Sequence, residues 1–298
     1  MCPALRRGRH SATFRIMKRR IVGTSIIALH LLVICLLKVN KVSAQAPPAA
    51  LAAFNNYTGA VEARLAQQRR SRVDLVASSR SEETEARLRR GDTIIEKLSP
   101  GEDDQPEGAL LHDWKGTIFV RGATVADFES LMKNLSSYPQ RFAPQVTRAM
   151  ILSPHATKAP DHFTALMRVR QKHVITVVMD TTYDVLYGRV DAHRGFSISR
   201  STKIAEIADA GTRKERALGP TKDHGFLWRL NTYWSYEERD GGLYMQIESV
   251  SLTRGVPPGL GWAIEPFLES VPRESLEFTL RAVSKTLQKQ TNSPIERN

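Results

Sequence analysis

Six histidines follow residue 44: His112, His155, His162, His173, His193 and His224. Imidazole is the commonest metal ligand and a frequent general base, so their spacing decides whether such chemistry is encoded. No two are separated as H-x-H or H-x-x-x-H, and no H-E-x-x-H run occurs, so the pattern offers no zinc site. His112 stands directly before Asp113, a residue type that can orient an imidazole. Adjacent residues of a strand face opposite sides, which makes His112 a structural histidine rather than half of a dyad. A G-x-S-x-G elbow and a G-x-x-x-x-G-K-[ST] loop are both missing. Gly255-Val-Pro-Pro-Gly-Leu-Gly-Trp262 is glycine-rich, but two successive prolines remove the backbone donors that a phosphate cradle needs. It is expected to be a shaped loop carrying Trp262 and Phe267 across the end of a sheet. No catalytic set, metal or cofactor is assigned.

The densest aromatic stretch is Phe226 to Trp234, "FLWRLNTYW". With a strand's period of two, Phe226, Trp228, Leu230, Thr232, Trp234 and Tyr236 share one face. Arg229, Tyr233 and Glu237 share the other, where Arg229 is expected to pair with Glu237 or Glu248. Six positions at about 3.3 Å each would set Trp228 and Trp234 about 20 Å apart along one strand. The aromatic face is either plain core or the wall of a pocket. Any acid–base cluster inside it would need a polar pair such as His224 near Tyr236.

Several elements must position this face. Leu51 to Gln68 has Phe54, Tyr57, Val61 and Leu65 at helical spacing, and a second, weaker helix covers Ser81 to Arg90. Thr93 to Leu98 suits a short strand, and "SPGEDDQPEG" from Ser99 to Gly108 an exposed linker. Leu110 to Arg121 reads as a strand, Thr124 to Asn134 as a helix with Val125, Phe128, Leu131 and Met132 inward, and Ser137 to Phe142 as a helical turn. Extended segments follow at Val146–Leu152, His162–Gln171, Val174–Gly188, Phe196–Ile207, Phe226–Glu237 and Leu243–Leu252, the last two joined by a tight hairpin at Asp240-Gly241-Gly242. Pro272 is expected to open a final helix to about Gln290, with Leu276, Leu280, Val283 and Leu287 as its stripe. This is an α+β order.

Charge excludes one partner class. Of 43 basic residues nine lie in positions 1–44, which hold no acidic ones, leaving 34 basic against 31 acidic in the remainder. A nucleic-acid surface needs a concentrated basic face, so none is expected as partner. Residues 1–44 have the form of a signal peptide. Met17, the expected true start, leads Lys18-Arg19-Arg20, the apolar run Ile21 to Leu37, and a small-residue site at Val42-Ser43-Ala44 ahead of Gln45. Cleavage would leave a periplasmic or secreted protein, whereas an uncleaved run is just long enough for an inner-membrane anchor, the one membrane contact foreseen. Both cysteines, Cys2 and Cys35, lie in this leader, so the mature chain has no thiol.

"LLHDWKGTIFVRGATVADF", "HGFLWRLNTYWSYEERDGG" and "SLTRGVPPGLGWAIEPFLESVPRESLEFTL" carry a family likeness. Over roughly residues 108–288 the chain resembles the START-like (SRPBCC) superfamily of lipid-transfer and polyketide cyclase proteins, and within it a group of exported acidobacterial proteins. The resemblance implies a helix-grip fold, an antiparallel curved sheet wrapped on the C-terminal helix, over residues 108–290. An extra helical segment and linker (45–107) precede it and a disordered tail (291–298) follows. It implies a tunnel for a hydrophobic small molecule or lipid and no universal catalytic residues. Expected linings are Trp228, Thr232, Trp234 and Tyr236 from the aromatic strand; Phe163, Met167 and Tyr183 from its neighbours; Leu276, Leu280 and Val283 from the helix; and Trp262 and Phe267 at the mouth. A cyclase- or hydrolase-like enzyme using the same cavity, or a ligand-free envelope interaction protein, are the alternatives.

Overall fold

The computed structural model describes residues 45–71, 75–76, 81–98, 100–101, 105–154, 161–172, 176–219, 222–255 and 261–292, with the backbone alone for 154 and 261–269. Residues 1–44, where a signal peptide is expected, and the tail beyond Asn292 lie outside the described residues.

Two helices come first, α1 (Pro48–Arg70) and α2 (Glu82–Arg89), followed by β1 (Ile94–Lys97) and β2 (Ala109–Arg121). Helices α3 (Val125–Lys133) and α4 (Tyr138–Arg141), linked by a 3-10 turn at Leu135–Ser137, lead into the strand run. That run is β3 (Val146–Pro154), β4 (His162–Lys172), β5 (Thr176–Arg189), β6 (Arg194–Ala208), the two-residue β7 (Arg216–Ala217), β8 (Arg229–Arg239) and β9 (Gly242–Arg254). Helix α5 (Gly261–Asn292) closes the chain. Among the described residues the nine strands form one sheet in the order β1-β2-β9-β8-β6-β5-β4-β3, with β7 beside β6. Every pairing is antiparallel. The architecture is the expected α+β helix grip: a curved antiparallel sheet holding the C-terminal helix, with a helical segment ahead of it.

Local chemistry explains the boundaries. Thr124 caps α3 with a full capping box, its side chain accepting from the Asp127 amide while Asp127 accepts from the Thr124 amide. Asp240 and Gly241 form the β8–β9 turn with φ of 56° and 71°, left-handed values that a two-residue hairpin of this twist requires. The sheet is covered on both faces. Trp114, Ile118, Trp234, Met245 and Ile247 face inward with the α5 stripe Leu276, Leu280, Val283 and Leu287. Residues of opposite parity, Leu111, Ile198, Tyr233, Val250 and Leu252, pack outward under Phe54, Val61 and Leu65 of α1. The helical stripes read from the sequence are therefore the ones buried.

Two of the boundary differences bear on the site. Helix α5 starts at Gly261 and runs through Pro266 and Pro272 rather than starting at Pro272. Proline's φ suits a helix, and at Pro272 the backbone loses one hydrogen bond, to the carbonyl of residue 268. Trp262 and Phe267 thus sit on the first turns of a helix, not on a loop, and their side chains lie outside the described residues. Strand β8 starts at Arg229 rather than Phe226. Gly225, with φ of 74°, turns the chain just before it, and the Trp228 amide donates to the Leu252 carbonyl.

Candidate ligand cavity

Between the inner face of the sheet, α3, α4 and α5 lies a cavity of about 290 Å³. Its volume is at the lower end of the roughly 300–1,000 Å³ usual for sites of single small ligands. One wall is Ala149, Phe163, Ala165 and Met167 of β3 and β4, extended by Met179, Tyr183 and Tyr187 of β5. Met132, Leu135, Tyr138 and Phe142 close one side, and Val271, Leu276 and Phe278 of α5 close another. The floor is Leu230, Thr232 and Trp234 of β8 with Ile247 of β9.

Period-two alternation builds this floor. Thr232 and Trp234 point inward because Tyr233, between them, points to α1. Trp234 is fixed by the ring of Phe128, 5.2 Å away between centroids. The close approach of α5 depends on Gly116, where a Cβ would overlap the Leu280 side chain. The tyrosines stay neutral: burial pushes Tyr183 up to about 12, raises Tyr138 and raises Tyr187 well beyond its ordinary range. The Tyr138 hydroxyl donates to the Met132 carbonyl at 2.6 Å. Among the described lining residues none is Asp, Glu, Lys, Arg or His.

Of the twelve residues expected to line a cavity, six are together in this lining: Phe163, Met167, Tyr183, Thr232, Trp234 and Leu276. Tyr236, Leu280 and Val283 are fully buried in the same core without lining it. Tyr236 packs 4.6 Å from Phe128, and its hydroxyl donates to Glu129 at 2.8 Å. Leu280 and Val283 of the α5 stripe instead seal the sheet against the helix. Trp228 is a correction: it lies on the opposite face, packed with Phe54, Tyr233 and Leu252. The alternation that placed it inward starts only at Arg229, after the Gly225 turn, so the two tryptophans do not share a strand face.

The expected charged pairs are also corrected. Arg229 is on the outer side, as read from the sequence, but its guanidinium donates to the Trp228 carbonyl. Glu248 is held by Arg64 of α1, and Glu237 accepts from the amides of Leu75 and Val76. His224 sits beside Glu206 at 2.9 Å, away from the Glu129-bound Tyr236, so that polar pair does not form. His112 is buried on the inner side, 3.5 Å from the Thr253 hydroxyl.

The outer layer, by contrast, is strongly polar. Arg200 grips Glu62 through two hydrogen bonds of 2.7 and 2.6 Å, and Glu62 also accepts from Tyr233 at 3.1 Å. Burial works against Glu62 ionising, yet Arg200 holds its carboxyl below the usual range. Asp113 accepts from Tyr57 at 2.9 Å. Burial and the neighbouring Glu248 carboxylate push Asp113 up to about 7.

Sequence reading missed the hydroxyls. Ser199, Ser249, Ser251 and Thr253 line the cavity beside Thr232. Their signal is the same alternation: Ser197-x-Ser199-x-Ser201 and Ser249-x-Ser251-x-Thr253 repeat a hydroxyl at every second position.

Several solved structures are similar to this chain. A START superfamily protein from Mycobacterium smegmatis matches with 14% identity and a TM-score of 0.40, covering 60% of this chain and 98% of its own. A STAR-related lipid transfer protein from Xanthomonas axonopodis matches with 15% identity and a TM-score of 0.37, over 65% and 98%. The Zhui aromatase/cyclase from Streptomyces sp. R1128 matches with 12% identity and a TM-score of 0.43, over 61% and 97%. No family model and no curated protein matches the chain.

Proposed function

We propose that the protein binds a hydrophobic small molecule in the helix-grip cavity. The observation that carries this reading is the largely apolar space under α5, framed by Phe163, Met167, Tyr183, Trp234 and Phe278. Close-packed cores leave few voids larger than a water molecule, so a space of about 290 Å³ beneath α5 is a feature to be filled. A cyclase- or hydrolase-like reaction finds less support, because the described lining offers no carboxylate or imidazole for proton transfer. The cavity size favours one compact ligand over a two-chain lipid.

The site of action we propose is outside the cytoplasm. Lys18-Arg19-Arg20, the apolar run to Leu37 and Val42-Ser43-Ala44 support export. Nucleic acid is not among the proposed partners, because the charge beyond residue 44 is nearly balanced.

Native mass spectrometry of the purified protein, with titration of the fluorescent hydrophobe N-phenyl-1-naphthylamine, tests the binding reading. A co-purifying small molecule or saturable probe binding at one site is expected. An unliganded mass together with no probe binding overturns it. N-terminal sequencing tests export: Gln45 as first residue is expected, and a chain retaining its leader and extracted only by detergent overturns it.

A further inference from the structure

The cavity floor has a row of hydroxyls that no other described residue uses. On β6, β8 and β9, Ser199 pairs in register with Thr232, and Thr232 with Ser249. Directly opposed residues point to the same side of a sheet, so three hydroxyls stand in line over two inter-strand spacings, about 10 Å. All three line the cavity and are only half-buried, although the strands that carry them are central in the sheet. None of the three has a hydrogen-bond partner among the described residues. The register continues from Ser249 to Trp114 on β2, whose indole N–H is buried and unpartnered among the described residues. Ser251 and Thr253 extend the polar band along β9.

A polar group on the wall of a largely apolar cavity loses hydration when a ligand fills that cavity, unless the ligand bonds to it. A pure hydrocarbon would leave these hydroxyls unsatisfied. An ionised ligand would fare worse, because the described lining holds no cation or anion to pair with it, and burying an unpaired charge is far costlier than burying a neutral dipole. Hydroxyls both donate and accept, which suits a neutral alcohol or carbonyl.

We infer that the ligand is an uncharged amphipathic molecule whose hydroxyl or carbonyl oxygen is seated on the Ser199–Thr232–Ser249 row, its apolar body against Trp234, Phe163 and Met167. This deepens the proposed binding function and rests on it.

Competition against bound N-phenyl-1-naphthylamine tests the inference, with 1-dodecanol and dodecanoate at pH 8 as probes of equal chain length. Dodecanol displaces the reporter at a concentration at least tenfold below that of dodecanoate. In Thr232→Val with Ser249→Ala, dodecanol affinity falls at least fivefold more than reporter affinity does. Thr232→Val alone, which keeps the side chain's shape, serves if the double variant does not fold. Dodecanoate competing as well as dodecanol, or an unmoved dodecanol affinity in the variant, overturns the inference and leaves the binding function standing. Absence of reporter binding and of dodecanol adducts in native mass spectrometry overturns the binding function itself.

Discussion

Asp113 and Leu280 show what single side chains do on the two sides of the sheet. Asp113 is 1% exposed and faces Glu248 under α1, a site that favours the protonated acid. An unfolded aspartate titrates near 3.9, and this one near 7 in the fold. Between those values the folded state holds the extra proton, so its contribution is full at about pH 4 and is lost as pH rises through about 7. Asp113→Asn should therefore be more stable than wild type at pH 8, with the gap closing by pH 4.5 in urea titrations. Equal pH dependence of both proteins would mean that the carboxyl is not the titrating group. Leu280 is buried against Gly116 and outside the cavity lining. Leu280→Ala should cost about 2–5 kcal/mol by loss of burial and an unfilled hole. The same variant should bind N-phenyl-1-naphthylamine within a few-fold of wild type, which fluorescence titration reads directly.

At the scale of elements, α1 is the part whose role the sequence half disclosed. Its stripe, Phe54, Val61 and Leu65, was legible because a 3.6 period needs only one segment to be seen. Its polar clasp was not. Tyr57 meets Asp113, Glu62 meets Arg200 and Arg64 meets Glu248, partners up to 184 residues away in the chain. Phe54→Ala should cost about 3–5 kcal/mol by equilibrium unfolding, as for a core aromatic, because α1 is a second layer and not an appendage. A loss below about 1 kcal/mol would mean the helix is dispensable. Strand β8 gives the opposite lesson. Its inward face at Thr232 and Trp234 followed from alternation, but Trp228 did not, because the start of a strand is set by its partner. Here the partner is Leu252 of β9, and no local pattern encodes that pairing. The hydroxyl band was equally visible as alternation on β6 and β9, yet its meaning needed the register that lines the strands up.

For the whole molecule, the cavity and the outer layer give separable signals. Trp234 lines the cavity and Trp228 lies beneath α1. Hydrophobic ligands should change the emission of a Trp228→Phe variant and leave the cavity-dependent change absent in Trp234→Phe. Ala165, on the cavity wall, gives a second check. Ala165→Phe should abolish probe binding while costing less than the roughly 1–3 kcal/mol usual for an overpacked core, because the ring enters unfilled space. Calorimetric melting beside the probe titration distinguishes a filled cavity from a misfolded protein.

The two covered faces of the sheet are not covered equally, and this sets a direction for traffic. Helix α1 backs the floor strands β2, β9, β8 and β6, while Met150, Ile151 and Leu152 on the terminal strand β3 remain exposed to solvent. A floor held from behind by a second layer opens only when α1 leaves, whereas β3 at the sheet's end has, among the described residues, a strand neighbour on one side alone. Exchange of a guest should then proceed by parting of the β3–β4 side from α4 and α5. The amides of β3 should trade hydrogen for deuterium faster than those of β9, and a bound guest should slow them most.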